Sequence, residues 1–435
     1  MRRWLFVSSQ EIDTVVPDVA NAAKAEESLR RRLGSRIFPA FSVPVYRRYV
    51  ISFCGSSFGF QNQELVRAWL AYSLHRSAAE LGLVVLMSAI AQGLGAPIGG
   101  VIADRFDRKR IMVWTQGISF AASAMIGVLV ILGVVQIWHL VLLALVTGAA
   151  TSLHMPARQS IVFDIVGPKY LANALAINGG LMSGMRLFAP AIGGLVINVA
   201  GIGPAYFLSV AAYAVSMATL TFVVPKVAHQ GTVKRESPFH SLVEGMRYLY
   251  RVKPLFWLYI FSTGSLLIAS PFRDMMSPFA VDQLGGDERT LGFIVSLMGL
   301  GAILGSIVMA ALSGYRGKAS LLLIGSISWA LLLVALAYVP SFSIGVPLFI
   351  AIGIAQAIFT TCVTIMMQSN VEDAYRGRML SFHLISYSLP GFTTLALGHV
   401  VDAQGVQVAF VSIGIMLLVF VIALGLWRKD VRALR

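Results

Sequence analysis

The sequence predicts an all-α integral membrane protein whose twelve transmembrane helices form two six-helix pseudo-repeats. Three observations lead to this prediction. Of the 435 residues, 57% are hydrophobic and 12% are charged, whereas a soluble domain carries about 25% charged residues. Long uncharged runs recur along the chain. Lys and Arg gather in alternate segments between those runs, as expected for loops on one side of a membrane.

Each predicted helix rests on such a run, because about 20 apolar residues of helix cross the roughly 30 Å apolar core of a bilayer. The uncharged run 187–225 is long enough for two helices and breaks at GIGP, and the run 319–371 breaks at VPSFSIGVP. A membrane β-barrel is disfavoured because these runs are apolar on every face. The predicted spans are residues 48–74, 81–103, 111–135, 138–161, 171–199, 204–224, 255–281, 290–313, 319–339, 345–369, 379–401 and 405–427.

The distribution of basic residues predicts that both termini are cytoplasmic. The inner segments then hold nine Lys and Arg in residues 1–48 and six in residues 226–253, whereas the outer loops hold only Arg76 and Arg289. The net charge of +14 therefore reflects membrane topology, and we expect the bilayer as a partner but no nucleic acid. We expect a multi-pass protein of a bacterial inner membrane, and a monomer.

An internal repeat predicts the division of the chain. At an offset of 205 residues, Val166 corresponds to Val371 and Tyr170 to Tyr375, each pair lying between an apolar helix and the next. The predicted units are a cytoplasmic extension at 1–44, a six-helix bundle at 45–225, a central cytoplasmic loop with an amphipathic helix at 226–254, a second bundle at 255–427 and a tail at 428–435.

The segment GGVIADRFDRKR at 99–110 carries the most specific motif. It resembles the loop between helices 2 and 3 of the major facilitator superfamily, in the branch of enterobactin exporters and macrolide efflux proteins, although Asp107 replaces the usual Gly. The resemblance implies a gate in which the charge of Asp104 pairs with Arg105, Arg108 or a neighbouring helix N-terminus. A solvated loop that only sets topology is the alternative. The motif residues are Gly100, Asp104, Arg105, Arg108, Lys109 and Arg110.

A second motif, APAIGG in predicted helix 5, is similar to a pattern that exporters of this superfamily often carry. It keeps Pro190, Gly193 and Gly194, whereas Ala189 stands for the usual first Gly. The resemblance implies export. These residues also permit close helix packing and a bend, so packing alone is an equal alternative to a functional seal.

Charged side chains inside spans cost roughly 2.5 to 3.5 kcal/mol each on insertion scales, and so they mark candidate sites. Helices 1 and 7 correspond under the repeat, and each carries an acid close to a base, which favours one central cavity for substrate and protons. For the pair in helix 7, a place at the outer interface is the alternative. The candidate residues are Glu64, Arg67, Arg186, Arg273 and Asp274, with Gln63 as an added polar contact.

Glu64 is the leading candidate for the carboxylate that takes a coupling proton, because it lies about 16 residues into helix 1 and therefore near the midplane. Arg67 shares its helix face at i, i+3. A permanent ion pair between the two is therefore the alternative. In that arrangement Glu64 would not titrate.

The sequence thus favours a secondary active, proton-coupled exporter of small amphipathic molecules that works by alternating access. The sequence has no nucleotide-binding loop, and neither Cys54 nor Cys362 belongs to a metal or disulfide pattern. It also shows no set of catalytic residues. We therefore expect no cofactor and no metal, and we expect that the protein is not an enzyme. The alternatives are a lipid or lysolipid flippase or an uptake carrier on the same fold, and a membrane sensor or scaffold that transports nothing.

Overall fold

A computed structural model describes residues 38–223, 238–312, 314–315, 317–372, 375, 386 and 388–427. Within these ranges there are helices but no strands, which confirms the predicted all-α class. The predictions for the N-terminal extension up to residue 37, for most of the central loop (224–237) and for the tail at 428–435 lie outside the described residues.

The first half of the chain begins with a short 3₁₀ turn at Pro39–Ser42 and continues as five helices. They are α1 (Pro44–His75), α2 (Ala78–Arg105), α3 (Arg108–Ile131), α4 (Ile137–Ala200) and α5 (Ile202–Ala218), the last extended by a π turn at Thr219–Val223.

The second half begins with a helix in the segment that the sequence interprets as amphipathic. Its helices are α6 (Pro238–Arg251), α7 (Lys253–Ala269), α8 (Pro271–Asp274), α9 (Met276–Pro278), α10 (Glu288–Ala311), α11 (Lys318–Leu336), α12 (Phe342–Ser369), α13 (Pro390–Gln404) and α14 (Val406–Trp427). A π turn at Phe279–Gln283 follows α9.

Nine helical segments within the described ranges are long and apolar enough to cross a membrane, so the chain is a multi-pass membrane protein. One of them is α4, whose 64 residues are enough for two crossings. Two helices that the sequence assigns to spans fall outside this set: α1, where the polar run QNQE at 61–64 lowers the hydropathy, and the 15-residue α13. Most of residues 379–387, the first part of the span predicted around α13, lie outside the described residues. The number of twelve spans therefore stays a prediction.

The predicted loop at 162–170 between the fourth and fifth spans is wrong. Helix continues through this segment as α4, and the backbone leaves helical geometry only at Gly167, with φ 66° and ψ 178°. Glycine tolerates this positive φ, and Pro168 then starts a second arm because its fixed φ suits the beginning of a helix. The chain reverses at a kink with no polar loop.

The predicted continuous helix at 255–281 is also wrong. The structure divides it into α7, α8, α9 and the following π turn. Pro271 lacks the N–H that would continue α7, which accounts for the first break at Ser270. The short α8 places Arg273 and Asp274 on backbone that is not part of a regular long helix.

Two seams join helices of the first half to helices of the second. We call the end of the bundle with the α1–α2 turn the far end, and the end with the α2–α3 turn the near end. Helix α2 packs against α13, and the second arm of α4 packs against α10. At the α2–α13 seam, a Cβ on Gly82 would lie 2.7 Å from the Leu395 Cα, so only glycine allows this approach.

Candidate functional site

Glu64 and Arg67 form an ion pair inside α1. The distance from Arg67 Nη2 to Glu64 Oε1 is 2.5 Å, and the side chains are 10% exposed for Arg67 and 43% for Glu64. This is the i, i+3 pairing that the sequence leaves as an alternative to a titrating Glu64. Glu64 is therefore the partly exposed member of the pair, whereas Arg67 is nearly buried.

The structure brings Asp274 close to that pair. Glu64 and Arg67 both lie within electrostatic reach of the Asp274 carboxylate, and α9, just after it, packs against α1. Thr394 of α13 donates a hydrogen bond of 2.9 Å to Asp274 Oδ2. We call Glu64, Arg67 and Asp274 the charge cluster. It joins elements from both halves of the chain.

Arg186 and Arg273 both have exposed side chains. Arg186 lies in the second arm of α4, where its backbone carbonyl packs against Gly299 of α10 at the seam. Gln63 has a different environment, since its side chain is buried and its Oε1 accepts a hydrogen bond of 2.9 Å from the Tyr213 hydroxyl. Gln63 therefore binds α5 in this structure.

Three aspartates of the second half hold the far end closed, and sequence reasoning did not single them out. Asp402 of α13 accepts hydrogen bonds from the N-terminus of α2, at 2.8 Å from Ser77 Oγ and 2.7 Å from the Ala78 N–H. Asp282 accepts a short hydrogen bond from the Tyr72 hydroxyl. Because α2 and α13 belong to different halves, these bonds tie the halves together at the far end.

The third aspartate, Asp287, caps α10 and also contacts α4. Asn198 Nδ2 donates to Asp287 Oδ2 at 3.2 Å, and the Thr290 backbone N–H donates to Asp287 Oδ1 at 3.0 Å. Slight desolvation acts to raise the pKa of Asp287, but the hydrogen bonds from Thr290 and the charge of Arg289 outweigh it and lower that pKa below the ordinary carboxyl value. The carboxylate thus stays charged in mildly acidic solution.

The APAIGG residues pack on two sides at the far end. A Cβ on Gly194 would lie 2.6 Å from the Glu288 carbonyl oxygen and 3.1 Å from the Gly292 Cα, across the α4–α10 seam. A Cβ on Gly193 would collide with Asn62 Oδ1 of α1. The backbone of Pro190 lies against Gly292 as well. These contacts are the close packing that small residues permit.

Toward the near end, the same arm of α4 is open. A Cβ added to Gly179, Gly180 or Gly184 would meet no atom within 4 Å, and Leu175 is an exposed apolar side chain. The second arm of α4 is therefore in tight contact with α10 at the far end and free of close neighbours at its three near-end glycines.

The loop motif at the near end is engaged within the first half. Arg108 Nη1 lies 2.5 Å from Asp164 Oδ2, with side chains 15% and 4% exposed. Lys109 donates to the Thr221 carbonyl oxygen at 3.0 Å. Asp107 caps α3 by accepting from the backbone N–H groups of Lys109 and Arg110, which gives this chain a physical reason for aspartate where related loops have glycine. The structure does not describe the side chains of Asp104 and Arg105 or the surroundings of Gly100.

Comparison with known proteins agrees with this architecture. The model of a family described as transmembrane secretion effector matches residues 35–432. The MFS-type transporter YfiS of Bacillus subtilis is 25% identical over 80% of this chain and 84% of its own length. The enterobactin exporter EntS of Escherichia coli is 25% identical over 81% and 86%, and macrolide efflux protein A of Streptococcus pyogenes 21% over 72% and 79%.

Solved structures share the fold. A variant of the nucleoside transporter NupG superposes with a TM-score of 0.72 at 14% identity, covering 88% of this chain and 98% of its own. A bacterial homologue of the human lysosomal transporter Spinster superposes with a TM-score of 0.68 at 14% identity, covering 90% and 97%. The family model spans nearly the whole chain, and the relatives are transporters. The chain is therefore a transporter, not an enzyme, and belongs to the transmembrane secretion effector family of the major facilitator superfamily.

Proposed function

We propose that this protein is a secondary active exporter that moves small amphipathic molecules across a bacterial inner membrane in exchange for protons. The observation that carries the proposal is the difference between the two ends of the α4–α10 seam. At Gly194, α4 packs directly against the backbone of α10. At Gly180, no atom lies within 4 Å of the position that a Cβ would take. This difference supports the proposal because alternating access requires a state that is closed at one end and open at the other.

The Lys and Arg residues of the loops support an orientation of the protein in the membrane. Lys and Arg concentrate in the near-end segments, and the positive-inside rule places such segments in the cytoplasm. The open end then faces the cytoplasm, and an exporter loads its substrate in this state. Two curated relatives, EntS and macrolide efflux protein A, carry the words exporter and efflux in their names, which supports the same direction.

The charge cluster is suited to proton coupling. When Glu64 takes a proton, Arg67 loses its counter-charge and becomes available to Asp274 or to an anionic substrate. Asp274 in turn accepts a hydrogen bond from Thr394, and the Thr394 carbonyl oxygen lies against Gly82 at the α2–α13 seam. A change of charge in the cluster thus reaches a seam that must open.

Transport into liposomes tests the proposal. The purified protein is reconstituted, sidedness is determined by protease digestion of the termini, and molecules inserted with the near end outside are followed. With an acidic lumen, we expect erythromycin, enterobactin or another member of a small panel of drugs and siderophores to enter the lumen while protons leave it.

Three results would contradict this proposal. Movement of substrate and protons in the same direction would show an uptake carrier. Transfer of fluorescent lysolipids without proton movement would show a flippase. The absence of flux for every panel member, in folded and fully inserted protein, would favour a sensor or scaffold.

A further inference from the structure

A cavity lies within the first half of the chain, enclosed by α1, α3, both arms of α4 and α5. Its empty volume is about 430 Å³, including the part open to solvent, and all of its lining residues lie between positions 56 and 213. Asp274 and the rest of the second half contribute nothing to its wall. It is therefore a different place from the charge cluster, and the function proposed above makes no use of it.

Arg158 provides a positive charge in this cavity. Its guanidinium carbon lies 5.0 Å from the centre of the Phe53 ring, so one face of the cation rests on an aromatic surface. Within the described part of the chain, Arg158 forms no ion pair with an acid. A guanidinium remains charged and has five N–H donors, which an aromatic ring alone does not satisfy. The cation thus has donors left for a ligand.

Gln116 points to the same conclusion independently. Its side chain is 2% exposed and lines the cavity, yet neither Nε2 nor Oε1 has a hydrogen-bond partner in the structure. A buried amide without partners is costly, and native proteins rarely leave one unsatisfied. Two N–H donors and one acceptor oxygen therefore lie unused beside the unpaired cation.

His154 completes the polar wall. It lies 3.0 Å through Nδ1 from Thr115 Oγ1, and the Thr115 hydroxyl already donates to the Met112 carbonyl oxygen at 3.1 Å. The Nδ1–H therefore donates to Thr115, which fixes the ring and leaves Nε2 for another partner. The cavity thus combines a cation, an amide and an imidazole with the apolar side chains of Phe60 and Met155.

We propose that this cavity binds the oxyanion of a small amphipathic acid. Arg158 pairs with a carboxylate or phosphate group, as a planar guanidinium can do through two parallel hydrogen bonds. Gln116 donates to the same group through Nε2 and accepts from a neighbouring hydroxyl or amide of the ligand through Oε1. The proposal deepens the export function by naming small acids as its cargo. Only that step, from bound acid to transported acid, rests on the export function.

Tyr213 connects this cavity to the charge cluster. It lines the cavity, and its hydroxyl donates to Gln63, the residue before Glu64 in α1. A ligand in this cavity that touches Tyr213 therefore lies one side chain away from the segment that carries the proposed coupling carboxylate.

Calorimetric binding in phosphatidylcholine nanodiscs tests the site without requiring transport. The probes are salicylate and phenyl phosphate, with salicylamide as the uncharged match of salicylate. We expect saturable binding of at least one acid and at least tenfold weaker binding of salicylamide. Arg158→Gln should weaken acid binding at least tenfold, and Gln116→Leu should weaken it to a smaller extent. The control Arg251→Gln, which removes an exposed cation of α6, should bind as the unaltered protein does.

Equal binding of salicylate and salicylamide, unchanged binding by Arg158→Gln, or binding of neither acid would overturn the site. If Arg158→Gln does not fold, two measurements still test the site: acid binding by Gln116→Leu, and the comparison of salicylate with salicylamide in the unaltered protein. Nanodiscs containing phosphatidylglycerol separate the sources of the oxyanion: undiminished acid binding supports a small-molecule ligand, whereas competition by this lipid reassigns the site to a headgroup. Acid binding without flux would refute the export function and leave the site standing.

Discussion

The Arg108–Asp164 ion pair holds the near-end turn to α4, and it is nearly buried. Removing one partner of a buried pair leaves an uncompensated charge, which costs roughly 3 to 5 kcal/mol in soluble proteins. We therefore expect Asp164→Asn and Arg108→Gln each to lower the midpoint of thermal unfolding in detergent clearly.

A double-mutant cycle provides the control for that prediction. Once either charge is gone, loss of the other also removes the uncompensated charge, so the double variant should be at least as stable as the less stable single variant. Additive losses would show that the two side chains act independently and that their contact does not stabilise the turn.

Glu64 is the residue to which we assign proton coupling in the proposed function. Glu64→Gln keeps the shape of the protonated acid and cannot release a proton, so we expect pH-driven export to fail while exchange of substrate across the membrane continues. Liposome flux with and without a pH gradient measures both.

Asp274→Asn is the matched variant, because it removes the second carboxylate of the same cluster. Undiminished pH-driven export by Glu64→Gln, together with loss in Asp274→Asn, would transfer the coupling role to Asp274. Full coupling in both variants would contradict a role for the cluster.

Asp104 carries the acidic charge of the near-end motif. Asp104→Asn keeps the volume and removes the charge, so we expect a folded, inserted protein whose flux is crippled. Arg251→Gln, which removes an exposed charge outside the motif, serves for comparison. Normal flux by well-expressed Asp104→Asn would reduce the motif to a topology signal.

At the scale of elements, the second arm of α4 carries both a packed and an open stretch. Gly194→Leu would place a side chain against the Glu288 carbonyl oxygen, where a Cβ alone already lies at 2.6 Å. We expect this variant to be unable to close the far end, so that buried far-end residues such as Ile197 and Leu291 become more accessible to labelling after conversion to cysteine.

Gly180→Leu is the control on the same helix arm, because a Cβ there meets nothing within 4 Å. It makes the same change in helix propensity and side-chain volume but should leave the labelling of the far end unchanged. Equal labelling of the two variants would show that the glycine contact at α10 does not close the seam.

The long helices were predictable from the sequence because hydropathy alone determines them, and α2, α3, α10 and α14 begin and end close to the predicted limits. The joint between the two arms of α4 was not predictable from the sequence. Polar residues such as Lys169 suggest a loop there, whereas helix resumes directly after Gly167. The breaks around α8 depend on Pro271, whose effect on an apolar run is invisible to hydropathy.

The sequence predicted candidate-site residues only where a charged side chain lies deep in a span, because its insertion into the membrane costs the most free energy there. Glu64 and Arg67 stood out because they lie deep in a span, and the structure pairs them. Arg158 escaped notice because it lies near the end of its predicted span, although it is one of five arginines inside the predicted spans. The partners of Asp282 and Asp402 are more than 200 residues away, and no local pattern can reveal such pairs.

At the scale of the molecule, the two seams explain why one chain can serve both sides of a membrane. The far-end contacts are individually small: an aspartate at a helix N-terminus, one hydroxyl on a carboxylate, and glycines in van der Waals contact. Many weak contacts of this kind can be exchanged for others at the opposite end at little net cost. In the proposed transport cycle, the halves would then rock around the charge cluster between them.

The distances across the α4–α10 seam test this reciprocal motion most directly. In protein lacking Cys54 and Cys362, spin labels are placed at Val199 and Arg289 for the far end, or at Leu175 and Ile307 for the near end, all exposed positions. Pulsed electron paramagnetic resonance in nanodiscs then follows both pairs between neutral and acidic pH. We expect the far-end distance to lengthen in the same fraction of molecules in which the near-end distance shortens. Distances that stay constant, or that lengthen together, would contradict alternating access.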